Sequence, residues 1–139
     1  MAAKINVLNL PHGYQTIVSN GIHSIVGDEP KDIKGTDLGL SPSELLLGAI
    51  AMCKVATIRY EAHKKGFNLQ DVKAELTLDF TKDENRNFSS KVIAKIDIQG
   101  NISMEQKLDL LKRVENCHIE RLIAGHWQTE ILAVDQLAV

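Results

Sequence analysis

At 139 residues the chain has room for one hydrophobic core, and folding at this size buries about 70% of the surface that the unfolded chain exposes. Hydrophobic residues at 44% and charged residues at 24% match a soluble globular domain and exclude a disordered or collagen-like chain; with three Phe, two Tyr and one Trp, the core is aliphatic. Sixteen Lys and Arg against eighteen Asp and Glu leave a net charge of −2, which excludes a basic nucleic-acid footprint.

Met1-Ala2-Ala3-Lys4-Ile5 is not followed by a long apolar run, so no secretory signal is expected. The longest nearly apolar stretch, Leu45 to Cys53, is interrupted by Gly48 and falls short of the ~18 to 20 residues that a membrane span needs. A cytoplasmic protein with neither nucleic-acid nor membrane partners is the expectation.

Lys4 to Leu10 reads as a first strand that stops at the turn residues Pro11-His12-Gly13. Tyr14 to Ser19 and Ile22 to Val26 follow, and Asn20-Gly21 between them predicts a two-residue hairpin loop, because both central positions of a type I′ turn need positive φ. A three-stranded meander is the simplest arrangement. Gly27 to Leu40 is polar, carries Gly35 and Gly39, and reads as a loop.

Ser41-Pro42-Ser43-Glu44 predicts a helix start: an N-cap Ser, a Pro at the first helical position and a Glu three residues after the cap. From Leu45 to Ile58 only Gly48, Lys54 and Thr57 are not apolar, so this half of the helix is expected to be buried, against a partner subunit if one exists. A polar stripe then emerges at Lys54, Thr57, Glu61, Lys64 and Lys65, and Gly66 closes the helix.

Val72, Ala74, Leu76, Leu78 and Phe80 alternate with polar residues, as do Val92, Ala94, Ile96 and Ile98, predicting two strands joined by the polar link Thr81 to Ser90. Ser103-Met104-Glu105-Gln106 is a second capping box, opening a helix with Leu108, Leu111 and Val114 on one face and Cys117 continuing it. His118 to Ala124 extends the helical pattern to Gly125, and Thr129 to Val134 reads as a last strand. The order β-β-β-α-β-β-α-β, without repeat or linker, places the chain in the α+β class as one domain over residues 1–139.

Two cysteines, Cys53 and Cys117, are too few for a disulfide scaffold and do not form a C-x-x-C pair. In a reducing compartment they are either inert core residues or a redox pair. On its apolar strip Leu46, Ala49, Ile50, Cys53, Ala56, the first is by pattern alone a small hydrophobe. A metal site is not expected, since Cys117-His118 has no second close pair to complete four zinc ligands, and no cofactor is implied.

Ser41 to Cys53, followed by Thr57 and Tyr60, resembles the first-cysteine helix of the OsmC/Ohr family (osmotically inducible protein C and organic hydroperoxide resistance proteins). Gly66-Phe67-Asn68-Leu69 before the Val72 strand and Cys117-His118-Ile119 with Leu122 are similar to that family as well, so the likeness spans nearly the whole chain. The resemblance implies an intertwined homodimer with active sites at the subunit interface, and a thiol-dependent peroxidase acting on organic hydroperoxides in stress defence. It also implies that Cys53 attacks the peroxide, that Cys117 resolves the sulfenic acid as a disulfide, and that a dithiol reductant reopens it.

The chain departs from the family at the thiol's cation. Peroxidatic members carry an Arg in the N-terminal strands, held by a Glu directly after the helix-start Pro; here no Arg precedes Arg59, Ser43 follows Pro42, and Glu44 stands one position late. Glu44 is the supporting candidate of the site, although closing the capping box with Ser41 is its simpler role. Lys54 leaves the helix about 100° from Cys53. His12, His23, Lys31 and Lys34 lie in the meander and loop; Arg59, Arg86, Arg113 and Arg121 read as surface charges, as does His118, and His126-Trp127 reads as a solvent-facing imidazole beside a packed indole. A non-enzymatic dimer of this fold, binding an apolar small molecule at the subunit interface, is the alternative.

Overall fold

The structure is a computed structural model and describes residues 2–134. It is mixed α+β, with three strands, a long helix, a two-stranded hairpin and two short helices in chain order. The chain forms two compact units: Met1–Ala49 with Leu76–Ile93, and Ile50–Glu75 with the segment from Ala94 onward.

In the first unit, β1 (Asn6–Asn9), β2 (Thr16–Ser19) and β3 (Ser24–Gly27) form the expected antiparallel meander, with Val7 opposite Val18 and Ile17 opposite Val26. The β2–β3 loop sits one residue later than the sequence suggests. Asn20 and His23 pair through their backbones, leaving Gly21-Ile22 as the two-residue loop, and Gly21 takes the positive φ of 96° at its first position. The Asn20 side chain accepts from the N–H groups of Ile22 and His23, which fixes this choice.

The loop after β3 is organised by Asp28, which is buried. Its carboxylate accepts from the Thr36 hydroxyl at 2.6 Å, the Glu29 N–H at 2.7 Å and the Leu38 N–H at 3.1 Å. The Thr36 hydroxyl leads in holding its pKa below the ordinary carboxylate value, against the opposing effect of burial. The chain folds back so closely that a Cβ on Gly39 would lie 2.1 Å from the Val26 carbonyl oxygen, so Gly39 is required for the return that bridges Leu40 to Gly27.

Helix α1 (Pro42–Lys64) starts where the capping box places it: the Glu44 N–H donates to Ser41 Oγ at 3.3 Å and the Ser41 N–H to Glu44 Oε1 at 3.0 Å. It ends at Gly66 in the left-handed conformation, φ 71°. Among the described residues the apolar start is only partly covered: Ile50 is buried, whereas Leu46 and Met52 are exposed.

In the second unit, strands β4 (Leu69–Lys82) and β5 (Phe88–Gly100) pair as a hairpin whose inner ends belong here. The strands run further than the Thr81–Ser90 link suggests, because Asp83 accepts from the N–H groups of Asn85 and Asn87 and closes a tight turn. Helix α2 (Met104–Lys112) opens on the Ser103–Gln106 capping box. Ile58, Ala62, Ile98, Leu110 and Val114 form the buried core, with Phe67, Leu69, Val72 and Ile96 packed around it. Helix α3 (His118–Ala124) closes at Gly125, whose N–H donates to the Arg121 carbonyl.

Three expectations are corrected. Thr129 to Val134 forms no strand: Ile131 is 90% exposed, and the segment pairs with no described strand. The described order is therefore β-β-β-α-β-β-α-α. Trp127 is exposed rather than packed. Cys117 does not prolong the α2 face, because Arg113 caps α2 and the chain turns before Cys117 begins α3.

Candidate active site

The buried residues of α1 are Ile50, Lys54, Ile58 and Ala62, a run at i+4 spacing that defines one stripe of the helix. Lys54 therefore lies on the inward face, only 4% exposed, and not at the head of the solvent-facing stripe read from the sequence. Cys53, one residue earlier, is half-buried, and its carbonyl accepts from the Thr57 hydroxyl at 2.8 Å.

Cys117 is buried and is the N-cap residue of α3. It forms a reciprocal cap with Glu120: the Cys117 N–H donates to Glu120 Oε2 at 3.1 Å, and the Glu120 N–H points back at the Cys117 sulfur. Both cysteines are free, and Cys53 lies close enough to Cys117 to help hold its thiol in the protonated form. The structure thus brings together two thiols that lie 64 positions apart in sequence.

Lys54 closes the arrangement. Its Nζ donates to the Val114 carbonyl at 2.6 Å and lies 3.0 Å and 2.9 Å from the two carboxylate oxygens of Glu120. With side-chain exposures of 6% for Lys54 and 27% for Glu120, the pair is largely shielded, unlike the surface pairs Lys64–Glu61 and Arg113–Asp109. The cation on α1 reaches the surroundings of Cys117.

Burial pushes the Cys117 thiol up, with Cys53 and the Glu120 charge acting in the same direction against the Glu120 N–H. A pH titration of Cys117 alkylation should therefore have its midpoint above the ordinary 9.0. The linked stability is intact below that value and lost as pH rises through the raised one. A midpoint at or below 9.0 would contradict the buried, Glu120-facing thiol.

The other residues singled out from the sequence have local settings of their own. Both hydrogen bonds of the Glu44 carboxylate and N–H go to Ser41, which also holds its pKa below the ordinary value; Glu44 is a helix cap in the first unit. His12, His23, Lys31 and Lys34 are exposed residues of the first unit, and Arg121 and His118 are exposed on α3. Among the described residues no group of three or more His, Cys, Asp or Glu is placed to hold a metal, and no helix is long and apolar enough to cross a membrane. Lys54 and Glu120 are what the sequence reading missed. The signals were the Ile50-Lys54-Ile58-Ala62 spacing and the three-residue interval from Cys117 to Glu120.

In the first unit, a cavity of about 290 Å³ opens between the meander and the start of α1, lined by Val7, Tyr14, Val18, Leu40 and Leu45 among others.

No curated protein sequence matches the chain. The fold is similar to that of an OsmC-like protein from Mycoplasma pneumoniae, with a TM-score of 0.76 at 18% identity over 90% of this chain and 89% of that one. It is also similar to an organic hydroperoxide resistance protein OsmC from Legionella pneumophila, with a TM-score of 0.67 at 18% identity over 88% and 90%. The organic hydroperoxide resistance protein OhrB of Bacillus subtilis gives a TM-score of 0.64 at 16% identity over 88% and 91%. Residues 35–131, well over half of the sequence and including both cysteines, match the model of the OsmC-like proteins, and the chain belongs to that family.

Proposed function

We propose that this protein is a thiol-dependent peroxidase of oxidative-stress defence, a cytoplasmic homodimer of single-domain subunits that reduces organic hydroperoxides with Cys53 and Cys117. The observation that carries this reading is that two free cysteines from separate helices come close enough for Cys53 to raise the pKa of the buried Cys117, whose flanks Lys54 ties to the helix of Cys53. Family membership and the hydroperoxide-resistance names of similar structures support it.

In this reading the Cys53 thiolate attacks the peroxide. A sulfur–oxygen bond forms, the oxygen–oxygen bond breaks, and the organic fragment leaves as an alcohol after taking a proton. Cys117 then displaces the sulfenic oxygen as water, and a dithiol reductant takes on the disulfide and restores both thiols. Cys53 is half-buried, which leaves a face for the peroxide, whereas Cys117 is buried.

Dimerisation has its own support in the apolar surface left open by one subunit. Met52 at 77% and Ile131 at 90% exposure, with Val7, Leu8, Leu46 and Trp127 also exposed, are apolar side chains that a second copy would cover. Light scattering should give about twice the chain mass of 15.4 kDa; a monomer would remove the interface from the account.

A second reading has one observation in its favour, the cavity beside Tyr14 and Leu45. A non-enzymatic dimer holding an apolar molecule there would keep both cysteines reduced. Mixing reduced protein with cumene hydroperoxide and hydrogen peroxide separates the two. The peroxidase consumes the organic peroxide preferentially and in proportion to added dithiol, whereas the binding protein consumes neither.

A further inference from the structure

We propose that the buried Lys54–Glu120 pair is a positioning device for disulfide closure, holding Cys117 against Cys53 by gripping the backbone on both sides of it. The inference rests on the thiol-redox reading above and adds the residues that set its second step.

Lys54 follows Cys53 directly on α1, and its ammonium donates to the carbonyl of Val114, three residues before Cys117. It also holds the carboxylate of Glu120, three residues after Cys117, and that carboxylate accepts the N–H of Cys117 itself. One side chain therefore ties the backbone carrying the first sulfur to both flanks of the second. A disulfide tolerates only a Cα separation of roughly 4.4 to 6.8 Å, so what fixes these flanks decides whether the sulfurs meet.

The pair is an expensive way to obtain stability alone. Desolvating two charges consumes most of their attraction, and an apolar residue of similar size is often as stable. What an apolar residue cannot do is bind a carbonyl and a carboxylate at once. In closure, Cys117 attacks the sulfenic sulfur of Cys53: the sulfur–sulfur bond forms, the sulfur–oxygen bond breaks, and the oxygen leaves as water with the Cys117 proton. Cys117 attacks as its thiolate, and the Lys54 ammonium offsets the repulsion from Glu120 when that charge forms.

The test follows the two steps separately in the full-length protein, using Lys54→Met, Glu120→Leu and Glu120→Gln. Cumene hydroperoxide is added, and mass spectrometry follows dimedone-trapped sulfenic acid on Cys53 beside the closed disulfide. In Lys54→Met and Glu120→Leu, closure should slow by about 10- to 100-fold while the first oxidation changes little, so that trapped sulfenic acid accumulates. Glu120→Gln keeps an acceptor for the Cys117 N–H and should lose less. In a glutathione redox buffer, the ratio of closed disulfide to Cys53–glutathione mixed disulfide should fall in the same order.

Folded variants that close at the parent rate and ratio would overturn the proposal, as would equal slowing of both steps, the mark of general scaffolding. If Lys54→Met fails to fold, the two Glu120 variants give the same decision. If the parent itself does not react with cumene hydroperoxide, the peroxidase reading fails, and the glutathione ratio still decides whether the pair positions Cys117.

Discussion

Cys53→Ser should lower hydroperoxide turnover by at least about 1,000-fold, because the hydroxyl that replaces the thiol is a far weaker nucleophile and no other described thiol is poised to replace it. Cys117→Ser should behave differently. Its Cys53 keeps the exposure that admits peroxide, so one equivalent is consumed and the protein stops as the sulfenic acid. The asymmetry is the informative part. Equal loss in both variants would mean that the first step needs Cys117, and retained turnover in Cys53→Ser would move the chemistry elsewhere. Peroxide consumption under excess dithiol, read beside intact mass, distinguishes these outcomes.

Leu110→Ala and Ile58→Ala should each destabilise the protein by about 2–5 kcal/mol, shifting the urea midpoint by about 1–3 M. Both side chains are fully buried, and they meet in the core that supports α1 and α2 in the second unit. The effect reaches the site because Val114 belongs to the same core, and its carbonyl is the acceptor for Lys54. A milder change, Ile58→Val, should cost about 0.5–1.5 kcal/mol. Losses below 1 kcal/mol for both alanine variants would show that this cluster is not the core of the unit.

Much of the fold was legible in the sequence because local chemistry decided it. The Ser41–Glu44 and Ser103–Gln106 boxes place two helix starts through bonds made within one turn. Alternation from Val72 to Leu78 reads directly as a strand with one drier face. The misreadings arise where a longer-range choice competes. Asn20 shifts its hairpin loop by one residue by binding two N–H groups. Cys117 keeps the spacing of the α2 face, yet the chain breaks after Lys112 and uses it as a cap. Strand character from Thr129 to Val134 has no effect while the segment stays unpaired with any described strand.

For the site, both cysteines were visible as candidates, but their pairing was expected from the family resemblance alone, since nothing local links residues 53 and 117. Composition rules make a lysine polar and therefore outward. Lys54 is inward because Glu120 and the Val114 carbonyl meet all that its ammonium needs, which no reading of α1 by itself reveals. The Glu44 carboxylate closes its own helix cap with Ser41, the simpler role read from the sequence.

The central claim is that Cys53 and Cys117 form a peroxide-driven redox pair. Its most direct test is the rate at which reduced protein loses its Cys53 thiol to cumene hydroperoxide, set beside a free model thiol at the same pH and followed to the final mass. The account predicts a rate well above the model thiol and a product lighter by two hydrogens, with a single intramolecular disulfide joining Cys53 to Cys117. A Cys53 that reacts no faster than the model thiol, or a product without that disulfide, would contradict it.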